Sequence, residues 1–299
     1  MDSQTQNLIK YLANDTINRV RSYVAYNTNT PKETLNMLAD DKSYMVRKEV
    51  SSNPSTPIET LIKLANDKNY RVKGVAVINL FKNPNSLPQE TLNKLEIEDE
   101  YRSVRIDVAS NEKTLKKVLE KLARNTDYRV RRAVASNFNT PKDTLNKLAN
   151  DKDYGVRGTV ASNFNTPKDI LNKLANDKDY GVRGTVASNF NTPKDILNKL
   201  ANDKFFVVVR LAVAINCNTP KNTLNKLAND RNDDVRKAVA SNPKTPIDTF
   251  NILANDKDDD VRKAVASNPK TPIDTFNILA NDNNVKSSVA YTRCSSFLV

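Results

Sequence analysis

The sequence predicts an all-α solenoid of about eleven two-helix repeats, on three observations. A 26-residue segment, Asn163 to Ser188, reproduces the one before it, Asn137 to Ser162, with a single change, Thr144 to Ile170. Self-similarity at such a period marks a tandem array rather than a globular core. Within each copy the apolar residues recur at helical and not at strand spacing. The composition, 38% hydrophobic with no tryptophan and 6% aromatic, is thin for one large core but sufficient for small cores shared between neighbouring copies.

The elements of one copy follow in order. Thr166-Pro167-Lys168-Asp169 places a hydroxyl at the expected N-cap, proline at the first helical position and an acidic residue three after the cap. The helix that starts there carries Ile170, Leu171, Leu174 and Ala175 as one apolar stripe, and Asn176-Asp177 ends it. A second helical segment buries Val182, Val186 and Ala187, with Asp179 in front and Asn189 behind. All five glycines, Gly74, Gly155, Gly158, Gly181 and Gly184, fall in this second type of segment. Each costs about 1 kcal/mol against alanine in a helix interior, so packing rather than propensity holds it.

Copies are indexed by a Val-Arg or Val-Lys pair at Val20, Val46, Val72, Val104, Val130, Val156, Val182, Val209, Val235, Val261 and Val285. They form one expected repeat domain over residues 1–299, with an N-terminal cap at 1–26, tandem repeats at 27–282 and a C-terminal cap at 283–299. The spacing of 26 is broken to 32 before Val104, to 27 before Val209 and to 24 before Val285, which marks irregular units at 74–114 and 204–210. The first predicts a bulged loop around Leu87-Pro88 and the acidic run Glu96, Glu98, Asp99, Glu100. With helices packing about 8 to 10 Å apart, the array has an expected contour of roughly 100 Å.

The recurring pattern N-P-x-T-P-x-x-T-L/F-x-x-L-A-x-D-x-x-x-x-V-R-x-x-V-A-S-N is seen in full from Asn242 to Asn268, NPKTPIDTFNILANDKDDDVRKAVASN. It resembles the leucine-rich repeat variant family, a relative of the HEAT-type helical repeats, over nearly the whole chain. The resemblance implies a right-handed superhelix in which an α-helix alternates with a shorter helix, often 3₁₀. Members of that family can carry a cysteine-rich cluster-binding segment at the N-terminus. Here the first cysteine is Cys217, so that cofactor is not carried over.

Function is bounded mainly by exclusion. There is no histidine, and Cys217 and Cys294 stand alone, so the inventory offers no metal site, cofactor site or thiol–imidazole pair. The N-terminus lacks a signal peptide's basic start and apolar core, and no apolar run of about 18 residues occurs, so the expectation is a cytoplasmic protein without a membrane partner. Aspartate and arginine six apart, as in Asp151 and Arg157 or Asp256 and Arg262, offer a carboxylate and an anion clamp. A pair copied throughout an array is better read as capping plus a charge-assisted bond between helices. Asn163 and Asn165 read likewise as satisfiers of turn backbone.

Three features stand apart from the consensus. A tyrosine precedes the index pair in Tyr44, Tyr70, Tyr101, Tyr128, Tyr154 and Tyr180, with arginine directly after three of them (Arg71, Arg102, Arg129). Such a row either stacks on bases beside phosphate contacts or packs its rings between modules. The segment from Lys113 to Arg132 holds Lys113, Lys116, Lys117, Lys121, Arg124, Arg129, Arg131 and Arg132 against two acidic residues, a net +6, whereas a regular copy carries +1. Together with Tyr70 and Tyr128 these are candidate anion-binding or partner-binding residues. The apolar run Phe205, Phe206, Val207, Val208 replaces polar loop residues and is a candidate interface.

The formal charge of +12 is largely a by-product of repetition, although residues 1–218 hold 35 basic and 25 acidic groups while 219–282 hold ten of each. The functional expectation is a non-enzymatic scaffold binding a protein along an extended surface. Mixed residues beside the index pair (Lys48, Arg132, Gly158, Leu211, Lys237) make that surface a mosaic. The alternative is binding of a nucleic-acid backbone through residues 1–218. Cap chemistry predicts that Thr166→Ala costs about 1 kcal/mol in a thermal melt while Pro167→Ala is mild.

Overall fold

Pro167 holds φ −60° and ψ 152°, and its carbonyl accepts the Leu171 N–H at 3.0 Å, so the proline itself is the N-cap of the helix Lys168–Leu174. In this computed structural model, which describes residues 3–81, 102–112 and 114–295, the same arrangement opens Lys32–Leu38, Ile58–Leu64, Lys194–Leu200, Lys221–Leu227 and Ile247–Leu253. The expected threonine cap and capping box are therefore corrected. Thr166 lies one residue too early, and its hydroxyl instead donates to the carbonyl of Val160, in the preceding helix, at 2.6 Å. The proline ring holds the chain extended where the turn from the previous helix ends, which leaves that carbonyl within reach of the threonine. Thr114 makes the same bond, to Val108, although Leu115 stands where the proline would be.

The second helix of the module runs Tyr180–Ser188. Asp179 caps it by accepting the Val182 N–H at 3.1 Å, and Asn189 is its C-cap. Val182, Val186 and Ala187 are buried, as are Ile170, Leu171 and Leu174 of the shorter helix. Of the two helices the Thr-Pro one is shorter, seven residues against nine, and every helix among the described residues is α. No strand occurs there either.

The fold is thus a tandem array of two-helix modules, and it forms two compact units, Met1–Thr144 and Leu145–Val299. In the first, the helices Asn18–Tyr26, Tyr44–Ser52, Tyr70–Phe81, Arg102–Ser110 and Tyr128–Ser136 pack each against the next. In the second, Tyr154–Ser162, Tyr180–Ser188, Val207–Ile215, Asp233–Ser241, Asp259–Ser267 and Lys286–Ser295 do the same. The loop expected around Leu87-Pro88 and Glu96 to Glu100 lies outside the described residues.

Polar ladders join the modules. Arg157 donates Nε to Oδ2 of Asp177 at 2.6 Å and Nη2 to Oδ1 at 2.8 Å, a two-pronged contact with both side chains more than nine-tenths buried. Its Nη1 donates to the carbonyl of Asp151 at 2.9 Å. The arginine therefore meets the backbone of the aspartate six before it and the carboxylate of the one twenty after it. That corrects the six-residue pairing: the charge contact ties successive modules, not the helices of one. Arg21–Asp41, Arg47–Asp67, Arg183–Asp203, Arg210–Asp230, Arg236–Asp256 and Arg262–Asp282 repeat it. A parallel row runs through the asparagines. Asn189 donates Nδ2 to the carbonyls of Ala161 and Asn163 while its Oδ1 accepts the Asn191 N–H. Asn53, Asn216, Asn242 and Asn268 make the same bonds one module back.

The two irregular spacings of the second unit leave the ladder intact. Arg183 still reaches Asp203 and Arg210 still reaches Asp230, each twenty residues on, while Arg210 now meets the Asp203 carbonyl seven residues back instead of six. The additional residue is taken up by the turn between them, where Asp203 Oδ1 accepts the N–H of both Phe205 and Phe206. The shortening before Val285 likewise falls after Asp282, which Arg262 holds at 2.5 Å.

Two sets of outcomes follow from these contacts. Because the Thr166 hydroxyl is a donor to Val160, Thr166→Ser should be nearly neutral, Thr166→Ala should cost about 1 kcal/mol, and Thr166→Asp should cost more. An N-cap would instead rank aspartate with serine, so a thermal-melt series decides between the two roles. At Asp177, burial pushes the carboxyl up, but the Arg157 hydrogen bond, the Asp179 N–H and the charges of Arg157 and Lys178 outweigh it and hold it below the usual carboxylate range. A depressed carboxyl contributes stability that is complete above its unfolded value of about 3.9 and is lost as pH falls through the folded value. Urea midpoints should therefore be insensitive to this group from pH 5 to 8 and fall below about pH 4. Asp177→Ala should cost about 3–5 kcal/mol by leaving Arg157 buried without its carboxylate.

Candidate interaction surfaces

The basic segment divides between structural and surface positions. Lys116, Lys117 and Lys121 belong to the helix Lys116–Leu122, Arg124 follows it, and Arg129, Arg131 and Arg132 sit on Tyr128–Ser136. Lys113 lies outside the described residues. Arg131 is the ladder arginine of its module, 6% exposed, and donates Nη1 to the carbonyls of Asn125 and Thr126. Arg129 Nη2 pairs with Asp127 at 2.9 Å, and Arg102 reaches the same carboxylate at 2.6 Å. The Arg129 hydrogen bond is the main influence holding the Asp127 carboxyl below its ordinary range. Lys116, Lys117, Arg124 and Arg132 are exposed and Lys121 is half-buried. The segment thus presents fewer cations to solvent than its sequence contains.

The tyrosines before the index pairs are partly exposed at Tyr44, Tyr70, Tyr128, Tyr154 and Tyr180, while Tyr101 lies outside the described residues. Three of them are engaged by neighbours within the chain. Arg71 lies 5.6 Å over the Tyr70 ring and donates Nε to its hydroxyl at 2.9 Å, and Arg129 lies 5.7 Å over Tyr128. In the second unit Tyr180 stacks on Phe206 with ring centroids 4.5 Å apart, and the Arg183 guanidinium covers Phe206 at 5.3 Å.

The run Phe205, Phe206, Val207, Val208 reaches solvent. Phe205 is 81% exposed, in the turn widened by the additional residue, and Phe206 caps Val207–Ile215 without a side-chain bond. Val207 and Val208 open that helix and are also exposed. The ladder determines this: Asp203 and Arg210 are anchored, so the surplus residue bulges outward and carries an apolar side chain with it.

A groove of about 690 Å³ in the first unit was not apparent from the consensus. It crosses Asn18–Tyr26 and Tyr44–Ser52 and is lined by Tyr23, Tyr26, Tyr44 and Met45, with Arg71 at one end. Tyr23 and Tyr26 follow the index pair Val20-Arg21 instead of preceding it, so they fall outside the tyrosine row. Their spacing of three on one helix was the available signal. A second exposed aromatic pair, Phe164 and Phe190, stacks at 6.5 Å in the second unit.

No family model matches the sequence, and no curated protein matches it. Among solved structures, a leucine-rich repeat variant with a novel repetitive structural motif is 24% identical, covers 85% of this chain and 88% of its own, and superposes with a TM-score of 0.51. An engineered protein is 17% identical over 98% of each chain, at a TM-score of 0.38. A structure of the Pds5–Scc1 complex matches 96% of this chain and 61% of its own at 12% identity and a TM-score of 0.39. The first likeness shows the fold: this chain is an α-helical repeat protein of the solenoid class, as the sequence resemblance implied. No helix among the described residues is long and apolar enough to cross a membrane.

Proposed function

We propose that the chain is a non-enzymatic scaffold that recognises another protein through exposed positions where its repeat is broken. The observation that carries this reading is Phe205, an aromatic side chain 81% exposed beside Phe206, Val207 and Val208. Isolated exposed apolar residues are ordinary, but four in succession at the start of one helix favour an interface. Neighbouring copies hold polar residues, tyrosine and glycine in the same turn. The nucleic-acid alternative keeps Lys116, Lys117, Lys121, Arg124 and Arg132, but Arg131 is buried and Arg129 is paired, which reduces the phosphate contacts available to it.

The double variant Phe205→Ser with Phe206→Ser should melt within about 2.5 kcal/mol of the parent, because it removes the Phe206 stack on Tyr180 and the Arg183 guanidinium over that ring. Cross-linking in lysate, with and without nuclease, should capture the same protein bands from the parent and lose them from the variant. Bands that vanish with nuclease, or that the double variant retains, would overturn the reading. The first result, with duplex binding that falls steeply with salt and is lost when Lys116, Lys117, Arg129 and Arg132 become glutamate, would establish the phosphate-binding alternative.

A further inference from the structure

We propose that the groove across the first nine-residue helices is a docking site for an extended, proline-bearing and acidic segment of another protein. This site is separate from the Phe205 surface and does not rest on it.

The groove walls point to that ligand chemistry. Tyr23 and Tyr26 are 61% and 69% exposed although they line a concave surface, so both rings present area to a partner, with Arg19 over one side of Tyr23. Tyr44 and Met45 supply the facing wall from the next module. Flat aromatic walls that keep their hydroxyls in water suit proline rings, and a polyproline segment is ordered before it binds, which lowers its entropy cost.

Dimensions agree. A polyproline helix brings every third residue to the same side after about 9 Å. Neighbouring helices pack about 8 to 10 Å apart, so a segment running along the array presents one such residue to each module in turn. An α-helical ligand requires a continuous apolar stripe, whereas this groove alternates tyrosine with charged and amide side chains.

Charge selects the sign of the partner. Three successive modules contribute one cation each, Arg19, Lys48 and Arg71. One carboxylate also lines the groove, Glu49, which Lys48 meets at 3.5 Å, so the lining is net positive by two. Arg19 lies 5.8 Å over the Tyr23 ring and donates to its hydroxyl at 3.3 Å, and Arg71 is braced by Tyr70. Both guanidinium groups are thereby held beside the aromatic walls, where a carboxylate flanking a proline would meet them. A cationic segment meets repulsion. A polyanion gains few contacts and meets Glu49.

The test uses the full chain and fluorescein-labelled peptides of four Pro-Asp-Ser triplets, with Pro-Lys-Ser and Ala-Asp-Ser peptides and a single-stranded oligonucleotide as comparisons, read by anisotropy. The expected result is saturable binding of the Pro-Asp-Ser peptide below about 1 mM, with the other three probes at least tenfold weaker. Tyr23→Ser with Tyr26→Ser should weaken it at least tenfold while leaving the thermal melt in place, since both rings are exposed. Arg19→Glu with Arg71→Glu should shift preference to the Pro-Lys-Ser peptide. The Phe205→Ser, Phe206→Ser variant should bind as the parent does, so failure at one surface is distinguishable from failure at the other. No saturation by about 1 mM overturns the proposal. So does equal binding of the lysine or alanine peptide, tighter binding of the oligonucleotide, or binding unaffected by the tyrosine substitutions.

Discussion

The contact on which the array depends is the arginine–aspartate pair twenty residues apart. A ladder aspartate such as Asp177 serves three roles at once. Asp177 receives Arg157 from the preceding module on its carboxylate, accepts the Asp179 N–H on the same group, and offers its carbonyl to Arg183 of its own module. A node with three partners fixes the turn between the two helices and the position of the next module together. Buried ion pairs are a poor source of net stability, because desolvation offsets much of their attraction, but they penalise misplacement heavily. The hydrophobic contacts of Leu171, Leu174, Val182 and Val186 are therefore the better candidates for holding the stack, with the ladder fixing the geometry of each joint.

This division of labour explains where the chain tolerates irregularity. A surplus residue between Asp203 and Arg210 leaves both anchors in place, and so does the deletion after Asp282. Length changes elsewhere would break the twenty-residue span from arginine to carboxylate. In the second unit variation is thereby channelled into one turn, and at Phe205 to Val208 the side chains there go to solvent.

The helices, their core residues and their caps at Asp179 and Asn189 were legible in the sequence because they depend on local spacing. The ladder was not, for a reason specific to repeats. In a period of 26, the aspartate six before one arginine is also the aspartate twenty after the previous one, so periodic sequence cannot distinguish a contact within a module from one between modules. Thr166 was misplaced for a related reason: a hydroxyl before proline fits an N-cap by type, and only the position of the Val160 carbonyl shows that it donates instead. The groove residues Tyr23 and Tyr26 were hidden because the first module departs from the consensus, and a departure there reads as a terminal cap. Phe205 to Val208 could be singled out because they interrupt an otherwise regular polar turn.

Near-identity between neighbouring modules carries a physical cost that these departures offset. Where successive joints have the same Arg–Asp, Asn–carbonyl and Thr–carbonyl bonds, as in the second unit, a stack shifted by one module satisfies almost all of its polar groups and much of its core. The energy gap between the native register and the shifted one then rests on whatever differs between copies. In the second unit the principal difference is the widened turn at Phe205, where Phe206 stacks on Tyr180 and lies beneath Arg183, contacts that a regular copy does not offer in that form. The residues proposed as an interface are thus also residues that distinguish one module from the next and so favour a unique register, and both features trace to the same break in the repeat.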